Sequence, residues 1–448
     1  MKRKLLILVI VIILLLLLVS LALLLSGEPL FPFLPDGSAV TDAPNQPAEK
    51  PTGPAEESSV PPPPAMAPLP TPEPQFAAEQ LALSVEEAED ASAALFDANY
   101  YTDFTFPAGT TLTLTAEKEI SSLYIIFGTY PDSWTLSCGE TVQNCGQEGF
   151  LHEYVELESP SGTVQISLSD EHEVMIRDIY AFTEGYLPTY VQTWQNLSGC
   201  ADILIFSTHY DDELLFFGGM IPYYSVVRDL KVQVAYMTSN YLSSFSNYYL
   251  RPHEALNGLW VAGTHFYPVT NEVDDYECRS YWAAVDHYGE DEFVEFQVEQ
   301  IRRFKPLVVV THDENGEYGH GAHMLSAYSL ERAVEAAADP AQFPESAEQY
   351  GVWDTPKTYL HLYDGADDYT WLSYEMRAPE LGWRSPFQVA QEAYRQHVTQ
   401  QIWEGFYVYG FDHPHDSHRF GLYRSLVGPD TLHNDLMEHV TREMFPAD

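Results

Sequence analysis

Hydrophobic and polar positions change rhythm several times along this chain, and each change marks a different kind of segment. An unbroken apolar run extends from Leu5 to Leu25, directly behind the basic residues Lys2, Arg3 and Lys4. About twenty apolar residues suffice to cross a bilayer as a helix, and flanking basic residues stay on the cytoplasmic side. The run also exceeds the roughly 7–15 residues of a cleavable signal peptide, which favours an uncleaved anchor. Residues 1–27 therefore read as a basic cytoplasmic end and a transmembrane anchor. From 28 to 82 the pattern disappears into Pro, Ala, Ser, Thr and acidic residues, including the run Pro61 to Pro64. Such a stretch buries too little apolar surface to offset chain entropy, so it reads as a disordered spacer.

Between residues 83 and 190 the rhythm becomes period two. Short alternating runs such as Thr111 to Thr115, Leu123 to Phe127, Thr163 to Leu168 and Val174 to Phe182 are separated by Gly, Pro and Ser clusters. That pattern predicts a small all-β sandwich. From 191 to 448, continuous apolar runs (Ile203 to Phe206, Val232 to Met237, Leu307 to Val310) alternate with helical stretches. Buried strands between helices predict a Rossmann-like, three-layer α/β domain with a mostly parallel sheet.

Composition narrows the partners. The chain carries 66 acidic against 21 basic residues, a formal net charge of −45. That surface repels nucleic acid and anionic membrane, so no nucleic-acid partner is expected, and no feature calls for a protein partner. Four cysteines in an oxidising compartment permit disulfides, and the short separation of Cys138 and Cys145 predicts that these two pair. Tyr130 and Trp134 are aromatics that either stack on sugars or pack in the core of the sandwich.

The chemistry concentrates where two apolar runs end. Behind the first stands Ser207-Thr208-His209-Tyr210-Asp211-Asp212-Glu213. Adjacent carboxylates repel one another unless a cation or a hydrogen-bond network holds them. Behind the Leu307 to Val310 run stands Thr311-His312-Asp313-Glu314-Asn315-Gly316-Glu317-Tyr318-Gly319-His320-Gly321-Ala322-His323. Its His320 and His323 are spaced to share one face of a starting helix. Ligands gather at the carboxyl ends of strands in such sheets, which puts both clusters at one edge. A third cluster, His413-Pro414-His415-Asp416-Ser417-His418, reads as a surface loop, with a second metal site as the alternative.

These motifs resemble those of the PIG-L/LmbE family of zinc-dependent N-deacetylases, whose signatures are His-Pro-Asp-Asp-Glu after the first strand and Gly-His-x-x-His after a later one. The resemblance spans roughly the last 250 residues. It is supported by Arg251-Pro252-His253-Glu254 before Gly263, by Ala393-Tyr394-Arg395-Gln396-His397, and by Phe420-Gly421-Leu422-Tyr423-Arg424. Two positions depart from the family pattern: Tyr210 replaces the usual Pro, and Ala322 replaces a frequent Asp.

The resemblance implies that His209, Asp212 and His323 hold zinc, or another divalent metal, with a position left for water. It implies Asp211 as general base, His320 as oxyanion stabiliser or proton donor to the leaving amine, and Arg251 and His397 as substrate-binding groups. For Arg251 the alternative is a salt bridge to Glu254 or another acid. The expected function is hydrolysis of an N-acetyl group from an N-acetylglucosamine-type sugar or glycan, by an enzyme anchored in the plasma membrane with its catalytic domain outside. The competing readings are a carbohydrate-binding surface protein with an inactive domain, and an amidase acting on another amide.

Overall fold

The computed structural model describes residues 76–86, 91–239, 245–366, 368–401, 405–411 and 413–447. The expected membrane anchor and nearly all of the expected spacer lie outside the described residues. Among the described residues, no helix is long and apolar enough to cross a membrane. The described residues fall in the compact unit Pro72–Asp448.

The first half is an antiparallel β structure. Its strands are β1 (Gln80–Leu81), β2 (Ser84–Val85), β3 (Phe104–Phe106), β4 (Thr111–Phe127), β5 (Trp134–Cys138), β6 (Thr141–Cys145), β7 (His152–Ser167) and β8 (Val174–Phe182). They are ordered β1-β8-β4-β7-β5-β6, with β2 on β4 and β3 on β8. Alternation places Leu112, Leu114, Leu123, Ile125, Phe127, Val164, Ile166 and Ile176 in one core. The last part of β4 is buried on both faces, because Tyr124 and Ile126 pack against Phe182 and Val191 instead. Trp134 belongs to the core and donates from Nε1 to Glu153 at 2.7 Å, whereas Tyr130 is exposed.

The register of β5 on β6 corrects the expected disulfide. Cys138 stands opposite Thr141, and Cys145 opposite Trp134. The two cysteines are thus four positions apart along the hairpin, about 13 Å at roughly 3.3 Å per residue, beyond the roughly 7 Å Cα separation a disulfide can bridge. All four cysteines are free.

The second half is built on β9 (Ile203–Ser207), β10 (Val232–Tyr236), β11 (Val269–Thr270), β12 (Val308–Thr311), β13 (Lys357–His361), β14 (Tyr369–Trp371) and β15 (Arg419–Ser425). Their order is β11-β10-β9-β12-β13-β15-β14. The first five run parallel, and β15 and β14 close the sheet antiparallel. Counted over both sheets, antiparallel ladders outnumber parallel ones. The parallel strands β9, β10, β12 and β13 are buried throughout, as helices on both faces require.

Neighbouring residues on one strand enter opposite layers. Ile203, Ile205, Val308 and Val310 pack with Leu256, Leu259 and Ala390, from the helices Phe245–Ala262 and Pro386–Tyr394. Leu204, Phe206 and Val309 pack with Val298, Ile301 and Leu325, from the helices Glu290–Phe304 and Gly321–Ala336. The first of these cores is continuous with that of the β structure. Contacts across the junction include Leu151 N–H donating to Tyr267 Oη at 3.1 Å, and His152 Nε2 at 2.8 Å from His253 Nδ1.

The chain leaves β9 toward β10 and β11 on one side, while β12 and β13 lie on the other. The carboxyl ends of β9 and β12 therefore flank the topological switch point, where open α/β sheets bind ligands.

Candidate active site

The turn out of β9 is built to aim side chains. Asp211 takes φ of 129° immediately before the short helix Asp212–Leu215, a backbone conformation that costs a non-glycine residue about 1–3 kcal/mol. Its carbonyl accepts from Leu214 and Leu215 N–H, and its own N–H donates to Glu213 Oε2 at 2.9 Å. Asp212 Oδ2 then becomes a hub. It accepts from His209 N–H at 2.8 Å and lies 2.8 Å from His209 Nδ1 and 3.0 Å from His323 Nε2. The two imidazole nitrogens are 3.1 Å apart. Three atoms able to ligate a metal thus meet at one point, and His320 and His312 extend the cluster.

The exit from β12 supplies the supporting groups. His312 Nε2 accepts from Thr208 N–H at 2.9 Å, so its proton sits on Nδ1, 3.1 Å from Glu317 Oε1. The same oxygen accepts from Asp313 N–H at 3.1 Å and lies 3.0 Å from His361 Nδ1. The other oxygen, Oε2, lies 2.7 Å from His323 Nδ1. Glu317 therefore orients His323 so that Nε2 faces Asp212, the arrangement by which a carboxylate fixes the tautomer of a metal-ligating histidine. Burial alone would raise the Glu317 carboxyl, but His312 and His323 hold it well below its ordinary range.

His320 caps the helix Gly321–Ala336. Its Nδ1 accepts from Ala322 N–H at 3.3 Å, which leaves the proton of the neutral ring on Nε2. Its ring lies 4.7 Å from those of both His209 and His323, and burial together with these neighbours pushes its pKa down to about 2. Ala322 is buried in the core below. Gly321 is required by close approach, since a Cβ there would meet the Ser280 carbonyl oxygen at 2.1 Å.

Opposite stands Arg251, on the helix Phe245–Ala262. Its Nη2 donates to the Tyr210 carbonyl and to Asp211 Oδ1 at 3.3 Å, and its Nη1 lies 3.6 Å from Asp275 Oδ2. Of the alternatives weighed from sequence, the ion pair is present, with Asp211 and Asp275 rather than Glu254. Glu254 instead accepts from Thr399 N–H at 2.8 Å and from its hydroxyl at 2.6 Å. Burial raises Asp211 to about 7 against the opposing pull of Arg251, whereas Asp212, equally buried, is held well below its ordinary range by His323 and His209.

His397 is fully buried. Its Nε2 lies 3.6 Å from Glu213 Oε1 on the inner side of the turn, and Gly258 leaves it room, since a Cβ there would meet Nε2 at 2.8 Å. The structure thus assembles His209, Asp211, Asp212, His320, His323 and Arg251, and sets His397 beneath them. Sequence reasoning missed three residues. Glu317 and His312 lay within the second motif without a role, and Asp275 was not singled out; its Oδ1 lies 3.3 Å from His209 Nε2. The His413–His418 segment is not the expected surface loop at its end: Asp416, Ser417 and His418 are buried, with His418 Nδ1 2.7 Å from Asp416 Oδ1 and the Asp416 carbonyl 3.0 Å from His361 Nε2 on β13.

No protein-family model matches the chain. A segment of 83 residues is 43% identical to the 1D-myo-inositol 2-acetamido-2-deoxy-alpha-D-glucopyranoside deacetylase of Geodermatophilus obscurus, covering 18% of this chain and 26% of that protein. A segment of 65 residues is 44% identical to the mycothiol S-conjugate amidase of Streptomyces coelicolor, covering 14% of this chain and 22% of that protein. The matches thus span about a quarter of these relatives. Among solved structures, N,N'-diacetylchitobiose deacetylase from Pyrococcus horikoshii aligns with a TM-score of 0.35 at 16% identity, covering 46% of this chain and 74% of that one.

Proposed function

We propose that this chain is a metal-dependent hydrolase that removes the acetyl group from the nitrogen of an N-acetylglucosamine-type sugar. The observation that carries the reading is the convergence of His209 Nδ1, Asp212 Oδ2 and His323 Nε2 within 3.1 Å of one another, beside a second buried carboxylate. The donor set, two imidazoles and one carboxylate, suits zinc, and His209, Asp212 and His323 would hold it. When bound, such an ion lowers the pKa of water from about 15.7 toward about 7 and polarises a carbonyl oxygen.

The chain's own groups then divide the work. Asp211, raised to about 7, accepts the proton of the attacking water and delivers it to the nitrogen as the C–N bond breaks. Arg251 fixes one oxygen of Asp211, and Glu213, backed by His397, fixes its backbone. His320, neutral with its proton on Nε2, donates to the oxyanion that forms on the amide carbonyl. Its low pKa favours that role over supplying the leaving amine with a proton.

The relatives named as deacetylases favour an acetamido sugar, and the one named as an amidase keeps a different amide as the second reading. The run Leu5 to Leu25 behind three basic residues supports a membrane-anchored enzyme working outside the cell. Protease added to intact cells is then expected to release a soluble fragment, and complete protection would refute that location.

The test of the chemistry is acetate release from a panel of N-acetylated amino sugars, with and without chelator. Asp212→Ala is expected to lose metal and activity together. Asp211→Asn is expected to keep metal and fold while turnover falls roughly 10²–10⁴-fold, the usual worth of a positioned base. Near-normal turnover by Asp211→Asn, or a parent protein that binds no divalent metal, would overturn the mechanism.

A further inference from the structure

Between the β structure and the α/β half lies a cavity of about 530 Å³ that takes no part in the chemistry above. Its lining brings together Tyr124 and Tyr180 from β4 and β8, Tyr190 and Gln192 from the connecting segment, and Asn257 and Trp260 from the helix Phe245–Ala262. Among the described residues, no carboxylate, ammonium or guanidinium lines it, in a chain of net charge −45. The phenol rings succeed one another, Tyr124 to Tyr180 and Tyr180 to Tyr190, each pair with centroids 5.8 Å apart. Gln192 Nε2 donates to Asn257 Oδ1 at 2.6 Å, and Trp260 Nε1 to the Thr189 carbonyl at 2.9 Å, so the polar groups are held in place before any ligand arrives.

This chemistry selects its occupant. The volume falls within the roughly 300–1,000 Å³ of small-ligand sites. Aromatic faces pack against the C–H face of a sugar ring, while phenols and amides exchange hydrogen bonds with hydroxyls. An ionic ligand would find no counter-charge. Arg251 at the reactive centre shares its helix with Asn257 and Trp260, six and nine residues further on, or about 9 and 14 Å along the axis at 1.5 Å per residue. We infer that this cavity is a second glycan site, which takes neutral sugar residues of an oligosaccharide whose reacting residue lies at Asp211. The inference extends the proposed deacetylase from single sugars to glycan chains and rests on the sugar-directed part of that reading.

The test titrates the full-length chain calorimetrically with chitohexaose and with cellohexaose. The second has no acetyl group, so its binding reports on the cavity whether or not the protein hydrolyses amides. Tyr190→Ala removes one stacking face, and Thr189→Trp fills the space while keeping the carbonyl that Trp260 uses. Both are expected to weaken cellohexaose and chitohexaose at least tenfold, with unchanged turnover on a single N-acetylated sugar. Asn257→Ala replaces any variant that melts early. Absence of cellohexaose binding by the parent, or affinities equal in parent and variants, would overturn the inference. Hexasaccharide binding that the variants abolish, without acetate release by the parent, would sink the deacetylase and leave this site standing.

Discussion

Replacing Glu317 by Gln is the sharpest test of how the candidate metal centre is held. The carboxylate faces His312 Nδ1, His361 Nδ1 and Asp313 N–H through Oε1, and His323 Nδ1 through Oε2. An amide of the same shape has one acceptor and one donor end. Turning the donor toward Oε1 would oppose it to Asp313 N–H and to His312, whose proton is fixed on Nδ1 by Thr208 N–H at Nε2. The amide therefore settles with NH₂ toward His323. His323 must then present a lone pair at Nδ1 and carry its proton on Nε2, the atom that faces Asp212. Ligation through Nε2 would leave the ring's remaining proton on Nδ1, facing the amide's own donor instead of the Glu317 carboxylate. The cost is the orienting charge-assisted bond, about 1.5–3 kcal/mol, which agrees with the 10–100-fold loss of metal affinity typical of such partners. Competition with a fluorescent chelator at fixed pH would measure it, with melting recorded alongside. Zinc affinity within a factor of two of the parent, in a folded Glu317→Gln protein, would refute the assigned tautomer.

Two further outcomes follow from the rest of the fold. His152 and His253 are buried neutral at the junction of the two halves, and burial lowers His152 to about 3 from 6.5 and His253 well below its ordinary range. A depressed histidine leaves stability intact above the unfolded value and drains it as pH falls toward the folded one, so the loss lies between pH 6.5 and about 3. For His152 alone it reaches on the order of 4 kcal/mol. His152→Gln is expected to flatten that decline in urea titrations, and a slope equal to the parent's would count against it. Separately, alkylation of the unfolded, unreduced chain is expected to label all four cysteines. A Cys138–Cys145 crosslink in the digest would contradict the hairpin register.

The two halves of the fold were legible because each has its own period: alternation through β4, β7 and β8, and continuous apolar runs at β9, β10 and β12. The antiparallel β14 and β15 were not expected, since β15 is only partly buried and its alternation is weak. At the site, His209, Asp211 and Asp212 lie side by side in the chain, and His320 and His323 one turn apart, so local spacing sufficed to place them. Asp275 has no such mark. It stands beside Asp274 in a loop of an acidic chain, and only the contacts with His209 and Arg251 distinguish it. Glu317 is similar: nothing in the row of residues says that a carboxylate at positive φ turns inward under three imidazoles. Cysteine proximity misled because sequence separation ignores where a hairpin turns.

The charge balance of the centre yields a last prediction. Asp211, Asp212, Glu213 and Glu317 are buried and Asp275 nearly so, while the guanidinium of Arg251 faces only Asp211 and Asp275 among them. Unbalanced buried carboxylates are costly, so positive charge must come from somewhere. Both nitrogens of His209 face carboxylates, Asp212 at 2.8 Å and Asp275 at 3.3 Å. Both nitrogens of His323 do as well, Asp212 at 3.0 Å and Glu317 at 2.7 Å. Burial would lower each imidazole, but these neighbours outweigh it and raise His209 to about 10 and His323 to about 9. Without a metal, both rings therefore hold an extra proton at neutral pH, and a ligating nitrogen cannot keep one. Loading zinc at pH 7.5 is expected to release about two protons, one from each ring. Calorimetry in buffers of different ionisation enthalpy counts them. A value near zero would mean that His209 and His323 are not displaced from their protons by the ion, and that the metal, if bound, sits elsewhere.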